Sequence, residues 1–337
     1  MVRNAFTAAT PRMTGLTDRT FGVELEIGFK AGGTPVTWAS VKSAVLADLA
    51  AAGIEAHDET YNHVTKTWWK FVPDQSIGYT NIELVSPILK GEAGLVAVET
   101  VCRVLKAHGV YVNETMGLHV HHGAADLSVE DCKVLARLVT RFRPIFDGLL
   151  PPTRRANPMC GHFTTYELAE ITRAETKVGY HRALSEITRY RALNFNSLAR
   201  HGTVEFRQHS GSFDAAKITG WILLTQGLVE KAKNGRGRKL EGAPVAANGD
   251  GLSNLLRAAG LRTCLPHGQK VSDAAETRAR ATCALYLARA KKFGVINLAE
   301  RSETRSRARR TAAEAVAAAV APVAVEVATV AVEGAGA

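Results

Sequence analysis

The sequence predicts an α+β fold with a mainly antiparallel sheet, on three observations. Short segments alternate apolar and polar residues at the two-residue period of a half-buried strand. Longer segments repeat apolar residues at the helical period between recognisable caps. The two kinds intermix without a strict βαβ rhythm.

In chain order, FGVELEIGF (21–29) reads as a strand with Phe21, Val23, Leu25, Ile27 and Phe29 on one face. Ser40 opens a helix over VKSAVLADLAAAG, closed by Gly53. TNIELVSP (80–87) is a strand, and residues 92–108 form a helix ending at Gly109. GLHVHHG (117–123) is a strand, followed by the capping-box pair Ser128 and Asp131 ahead of CKVLARLVTRF. LNFNSLA (193–199) and TVEFRQHS (203–210) read as strands, and Asp214 starts the apolar helix AAKITGWILLTQGLVEKA. The expected organisation is a lead-in over 1–19, a main domain over 20–234, a linker over 235–251, a small helical appendage over 252–300 and a low-complexity tail over 301–337.

Composition narrows the class. A net charge of +10 suits an anionic partner such as a phosphate-bearing ligand, nucleic acid or an anionic membrane. The 5 cysteines are scattered without a CxxC pair, which points to reduced thiols in a cytoplasm, and the first residues lack the apolar core of a signal peptide. Residues 311–332 are long enough to span a bilayer, but they are mostly alanine and valine and include Glu314, Pro322 and Glu326. A carboxylate in a span costs about 3 kcal/mol, so this reads as a tail and no membrane partner is expected.

The polar faces of the strands carry the chemistry. Glu24 and Glu26 share the face opposite Phe21–Phe29, roughly 6.6 Å apart at two strand rises. Three histidines fall within four residues in GLHVHHG; His119 and His121 oppose Leu118 and Val120, while His122 falls with Val120 on the apolar side. In TVEFRQHS, Glu205, Arg207 and His209 oppose Val204 and Phe206, and Asp74 and Glu83 add two more acids. Each pattern alone has an ordinary reading as a solvated strand face. Together, five carboxylates on one sheet call for cations. Oxygen-rich ligation without thiolates favours Mg²⁺ or Mn²⁺ over zinc, and the arginines suit a polyphosphate. There is no Walker A motif and no GxGxxG following a strand. Cys160 and His162 are too close in PMCGHF to form a nucleophile–base pair, so Cys160 reads as a buried structural residue.

GVELEIGF, a D-x-S loop with ELVSP, GLHVHHG, an Arg-rich segment with Asn157, RYRALNFNSL and TVEFRQHSGSFD occur in that order. In this order they resemble the amidoligase family over about residues 20–232. These are carboxylate–amine ligases with the glutamine synthetase fold. The resemblance implies a curved sheet with helices on one face, as in the glutamine synthetase and guanidino-kinase cores. It implies ATP and two Mg²⁺ or Mn²⁺ ions as cofactors. Carried over residue by residue, Glu26, Asp74 and Glu83 hold the metal near the carboxylate substrate, while Glu24, His119 and Glu205 hold the metal on the ATP phosphates. Arg207 contacts the transferring phosphoryl group, assisted by Arg154 or Arg155, and His121 lies on the nucleotide side. Tyr190, Asn194 and Ser210 match family positions without an assigned role.

The implied partners are a carboxylate-bearing and an amine-bearing substrate (amino acid, peptide or protein) and, as in the relatives, further copies of the chain. Three other readings stand beside this one. A guanidino-kinase-like phosphotransferase accounts less well for the GLHVH and Glu–x–Arg strands. A basic nucleic-acid-binding protein leaves the phosphate-repelling acids unexplained. A hydrolase built on His119 and His121 would want more histidines.

Overall fold

The computed structural model describes residues 16–74, 77, 82–174, 179, 182–184, 186–233, 244–261 and 273–298. Ten strands among these form one sheet: β1 (Thr20–Ala31), β2 (Thr34–Val36), β3 (Ala56–Asp58), β4 (Trp69–Pro73), β5 (Ile82–Val85), β6 (Leu89–Lys90), β7 (Val110–Tyr111), β8 (Gly117–Gly123), β9 (Leu193–Asn194) and β10 (Thr203–Ser210), in the order β3-β4-β5-β1-β8-β10-β9, with β2, β6 and β7 also pairing β1. All pairings are antiparallel except β3 (Ala56–Asp58) with β4 (Trp69–Pro73). The expected α+β class holds.

β1 (Thr20–Ala31) is the central strand, with β5 (Ile82–Val85) on one side and β8 (Gly117–Gly123) on the other. Its odd-numbered residues from Phe21 to Phe29 are all buried. They meet Leu84, Ile82, Leu118 and Val120 on one apolar face, which the alternation of the sequence requires. β10 (Thr203–Ser210) pairs with β8 and with the short edge strand β9 (Leu193–Asn194).

Helices cover the apolar face. α1 (Trp38–Ala51) and α2 (Gly91–Ala107) precede β8; α3 (Val129–Arg141), α4 (Arg143–Leu149), α5 (Pro152–Arg155) and α6 (Thr165–Arg173) follow it. α7 (Ser197–His201) is a single short helix before β10. α8 (Ala215–Lys233) is buried along most of its length, because its sequence is apolar on nearly every side. The Gln226 side chain of α8 accepts from the Thr17 amide at 3.0 Å and donates to the Arg19 carbonyl at 2.8 Å, pinning the chain just ahead of β1. The Ser128 capping box of α3 forms as expected.

Four expectations are corrected. α1 starts at Trp38 with Thr37 at its N-cap, so Ser40 lies inside the first turn, its hydroxyl bonded back to the Thr37 carbonyl at 2.7 Å. LNFNSLA is a strand only over Leu193–Asn194; Ser197 turns into α7 by bonding the carbonyls of Asn194 and Thr203. The composition-based linker is described only from residue 244, and there Gly249–Gly251 already belong to α9 (Gly249–Ala258), capped by Asn248. His209 does not share the face of Glu205 and Arg207. β10 gains one residue over β8 between Phe206 and His209, so His209 pairs with Leu118 and its ring meets Trp221 of α8 at 5.1 Å.

The sequence also conceals β4. WKFV is buried on both faces and shows no alternation. α9 and α10 (Asp273–Phe293) contribute Leu252, Leu255, Tyr286 and Ala290 to the same core as the sheet. Among the described residues no helix is long and apolar enough to cross a membrane, and the 301–337 tail lies outside the described residues.

Two measurements check this packing. A Cβ at Gly227 of α8 would overlap the backbone of Ala259, so Gly227→Ala should lower unfolding free energy by about 2–4 kcal/mol in urea titrations. Burial and, next, Arg289 lower the His209 pKa to about 3, against about 6.5 for an unfolded histidine. Its contribution is therefore complete above pH 6.5 and is lost as pH falls toward 3, by about 1.4 kcal/mol per unit. Urea midpoints should fall accordingly between pH 7 and 5, and His209→Phe should flatten that slope.

Candidate active site

The opposite face of the sheet gathers the polar residues, and strand register alone brings them together. Glu26 stands opposite Glu83, Glu24 opposite His119, Gly22 opposite His121, and Glu205 opposite both His121 and Asn194. Glu24 lies 3.1 Å from His119 Nδ1 through one carboxylate oxygen and 3.2 Å from His121 Nε2 through the other. His119 Nε2 lies 3.5 Å from Glu26, while its Nδ1 is 3.7 Å from Glu205. The imidazole of His119 therefore stands between two sets of carboxylates.

Arg207 donates to Glu205 Oε1 at 2.5 Å, and Asn194 donates to the other oxygen at 2.7 Å. Glu26 accepts from the Gly117 amide at 2.5 Å, and His121 Nδ1 meets the Thr203 hydroxyl at 2.9 Å. These bonds orient the cluster. They leave the buried Nε2 of His121 and Nε of Arg207 without directed hydrogen bonds.

The charges are unequal. Burial pushes Glu24 up, but His121 and His119 outweigh it and hold its carboxyl well below the usual range. Burial likewise opposes ionisation of Glu205, and Arg207 followed by the two histidines overcomes it. His121 is raised, because Glu205 and Glu24 outweigh its burial. Glu83 goes the other way: burial and then Glu24, Glu26, Asp74 and Glu205 drive it well above the usual carboxylate value. One end of the cluster is thus matched by cationic side chains and the other carries excess negative charge.

Oxygen and nitrogen donors fit a divalent ion at two overlapping positions. Glu24, His119 and Glu205 offer ligand atoms within 4.8 Å of one another, as do Glu26, Glu83 and His119. Asp74 joins neither set; it follows β4 and acts on Glu83 through its charge. Arg154 is buried against β10, donating to the carbonyls of Arg207 at 2.7 Å and Gln208 at 3.2 Å. Its guanidinium and His119 both crowd the position of a Cβ on Gly117, at 3.3 and 3.0 Å. Arg155 turns elsewhere, bonding the Asp147 and Leu150 carbonyls and lying over Phe293. His122 occupies the apolar side, bonded to Thr225 at 2.7 Å, and burial holds it well below the usual histidine pKa.

A cleft of about 720 Å³ opens beside Glu24 and His121, walled by Gly22, Lys66, Trp68 and Ser86. Lys70 was not singled out from the sequence. It lies on the polar face opposite Val85 and spends its ammonium on Asn62 and the Val64 carbonyl, fixing the loop that walls the cleft. A lysine inside the buried WKFV run was the available signal. Cys160 is buried with its thiol on the Arg154 carbonyl, and His162 is engaged by Asp147 at 2.8 Å, so the pair is structural.

Acids, imidazoles and a guanidinium held on one sheet face above an apolar layer make a candidate enzyme site. The chain belongs to the family described as "Putative amidoligase enzyme", whose model matches residues 17–229. The family supports a carboxylate–amine ligase in general terms. Solved structures similar to it include a glutamine synthase homolog described as novel, at 16% identity, 81% of this chain, 66% of that one and a TM-score of 0.39. Apo GmaS is similar at 12% identity, covering 86% and 72% with a TM-score of 0.39. The complex of the prokaryotic ubiquitin-like protein Pup with its ligase PafA is similar at 11%, covering 82% and 63% with a TM-score of 0.36. The chain spans about two-thirds of the length of these structures. No curated protein matches it.

Like-charge crowding at Glu83 has a measurable consequence. In chelator, Glu83→Gln should raise the thermal midpoint above wild type, and added Mn²⁺ should narrow or reverse that difference.

Proposed function

We propose that the protein is an ATP-dependent carboxylate–amine ligase that forms an amide through an acyl phosphate. The single observation that carries this reading is His119 standing between two carboxylate sets on adjacent strands, beside an arginine already paired to one of them. A carboxylate has no usable leaving group, so amide formation requires its oxygen to be made one. Transfer of a phosphoryl group does this, and it depends on position and charge neutralisation more than on covalent help from the protein.

Glu24, His119 and Glu205 would hold one divalent ion, and Glu26 with Glu83 a second, with Asp74 adding negative charge close by. Bound there, Mg²⁺ or Mn²⁺ would supply charge neutralisation for polyphosphate and carboxylate oxygens. Arg207, fixed by Glu205, would direct its guanidinium charge toward the transferring group. Arg154, anchored on the β10 backbone, would act as the support of Arg207, and it takes the assisting role ahead of Arg155. His121, bonded at Nδ1 by Thr203, would face the nucleotide from the cleft wall. The reading takes residues 20–234 as the catalytic unit, the cytoplasm as its compartment, and an amino acid, peptide or protein as carrier of the carboxylate and amine.

Calorimetric titration of Mg·ATP should give saturable binding to the wild type. Glu24→Ala and Glu205→Ala should weaken it by about tenfold or more, an energy of about 1.4 kcal/mol or greater, with circular dichroism unchanged. ADP release should then require both a carboxylate and an amine. No saturable binding at millimolar Mg·ATP would overturn the reading, and a phosphorylated product without amide would favour a guanidino-kinase-like transfer.

A further inference from the structure

A second polar group lies where α4, α8 and α10 meet, on the far side of the sheet from the acids. Among the described residues, Trp221 Nε1, Tyr286 Oη and Arg289 Nη2 are buried there without a hydrogen-bond partner. Packing brings the three residues into one junction. Trp221 packs edge-on against Phe146 of α4 at 5.6 Å, and Arg289 donates from Nε to the carbonyl of Leu149, three residues along the same helix, at 2.7 Å. Tyr286 and Arg289 are three residues apart on α10 and act on each other electrostatically. Tyr286 Oη lies 3.9 Å from where a Cβ would stand on Gly220, the residue before Trp221. The His209 ring sits against Trp221, within reach of the charge of Arg289.

The chemistry of the three atoms is one-sided. Indole and guanidinium N–H groups only donate, and the phenol hydroxyl has a proton to give. The charge of Arg289 is met by one backbone carbonyl and the face of Phe293 at 5.5 Å, and the acid that acts on it is Asp214. Arg154 and Lys217 add positive charge around His209. Water would leave the buried guanidinium charge uncompensated, whereas a monoanion accepts from donors of this kind and offsets the buried cation.

We propose that this junction binds a small monoanion of the size of chloride, held by Trp221, Tyr286 and Arg289, which fastens α10 to α4 and α8 behind β10.

The test is the thermal midpoint of the full chain as sodium chloride replaces sodium gluconate at constant ionic strength, gluconate being too bulky for a buried site. The wild-type midpoint should rise with chloride and saturate. Tyr286→Phe removes only the hydroxyl and should shift half-saturation to about tenfold more chloride, the equivalent of one lost charge-assisted hydrogen bond. Arg289→Met should abolish the response. If Arg289→Met fails to fold, Trp221→Phe takes its place beside Tyr286→Phe. Equal wild-type midpoints in the two salts, or a chloride response unchanged in the variants that fold, would overturn the proposal.

Discussion

The register of β1 between β5 and β8 is the constraint on which the rest depends. Because side chains alternate strictly along a strand, one choice of pairing puts five odd-numbered apolar residues into the core and both glutamates onto the opposite face. A slip of one residue would bury Glu24 and Glu26 against the helices. The hydrophobic energy of the core therefore fixes which face carries the acids, and bonds from Arg207, Asn194 and the Gly117 amide then orient them. β8 inherits its alignment from β1, and β10 from β8, so Glu24, His119, His121 and Glu205 are set by one chain of ladder hydrogen bonds.

That alignment creates an electrostatic asymmetry. Around Glu205 the negative charge is matched by Arg207, two histidines and the Asn194 amide. Around Glu83 the nearest charges are other carboxylates, and burial adds to their effect. The proposed function uses this asymmetry, with a cation at the Glu26–Glu83 end and a guanidinium at the other. Such an arrangement costs folding stability, and the largely apolar reverse face with α8 laid across it is where the compensation comes from.

Much of this was legible in the residues. FGVELEIGF, GLHVHHG and TVEFRQHS announce their faces by strict alternation, and the structure keeps GLHVHHG and TVEFRQHS to their end residues. His122 was placed on the apolar side by parity, and there it lies. The misreadings have local causes. β4 has no alternation because it is covered on both sides. His209 was assigned by parity across a bulge that nothing in TVEFRQHS marks. LNFNSLA looks like a strand until Ser197 finds backbone carbonyls to bond. Arg154 and Arg155 could not be separated by sequence, since adjacent residues of a short helix point about 100° apart and only packing decides which meets β10.

The extra residue in β10 has a further meaning. Upstream of it, the strand's even and odd positions serve the core and the acid cluster respectively; downstream, the assignment is exchanged, so that one strand addresses two chemically opposite compartments. Substitutions within TVEFRQHS can thus be judged position by position, but a change in its length cannot. Losing a single residue after Phe206 would remove the bulge and leave one side chain where Arg207 and Gln208 now share the place opposite His119, whereas gaining one would shift His209 and Ser210 off Leu118 and Gly117. The segment's variability among related chains should consequently lie in residue identity, with its length held constant.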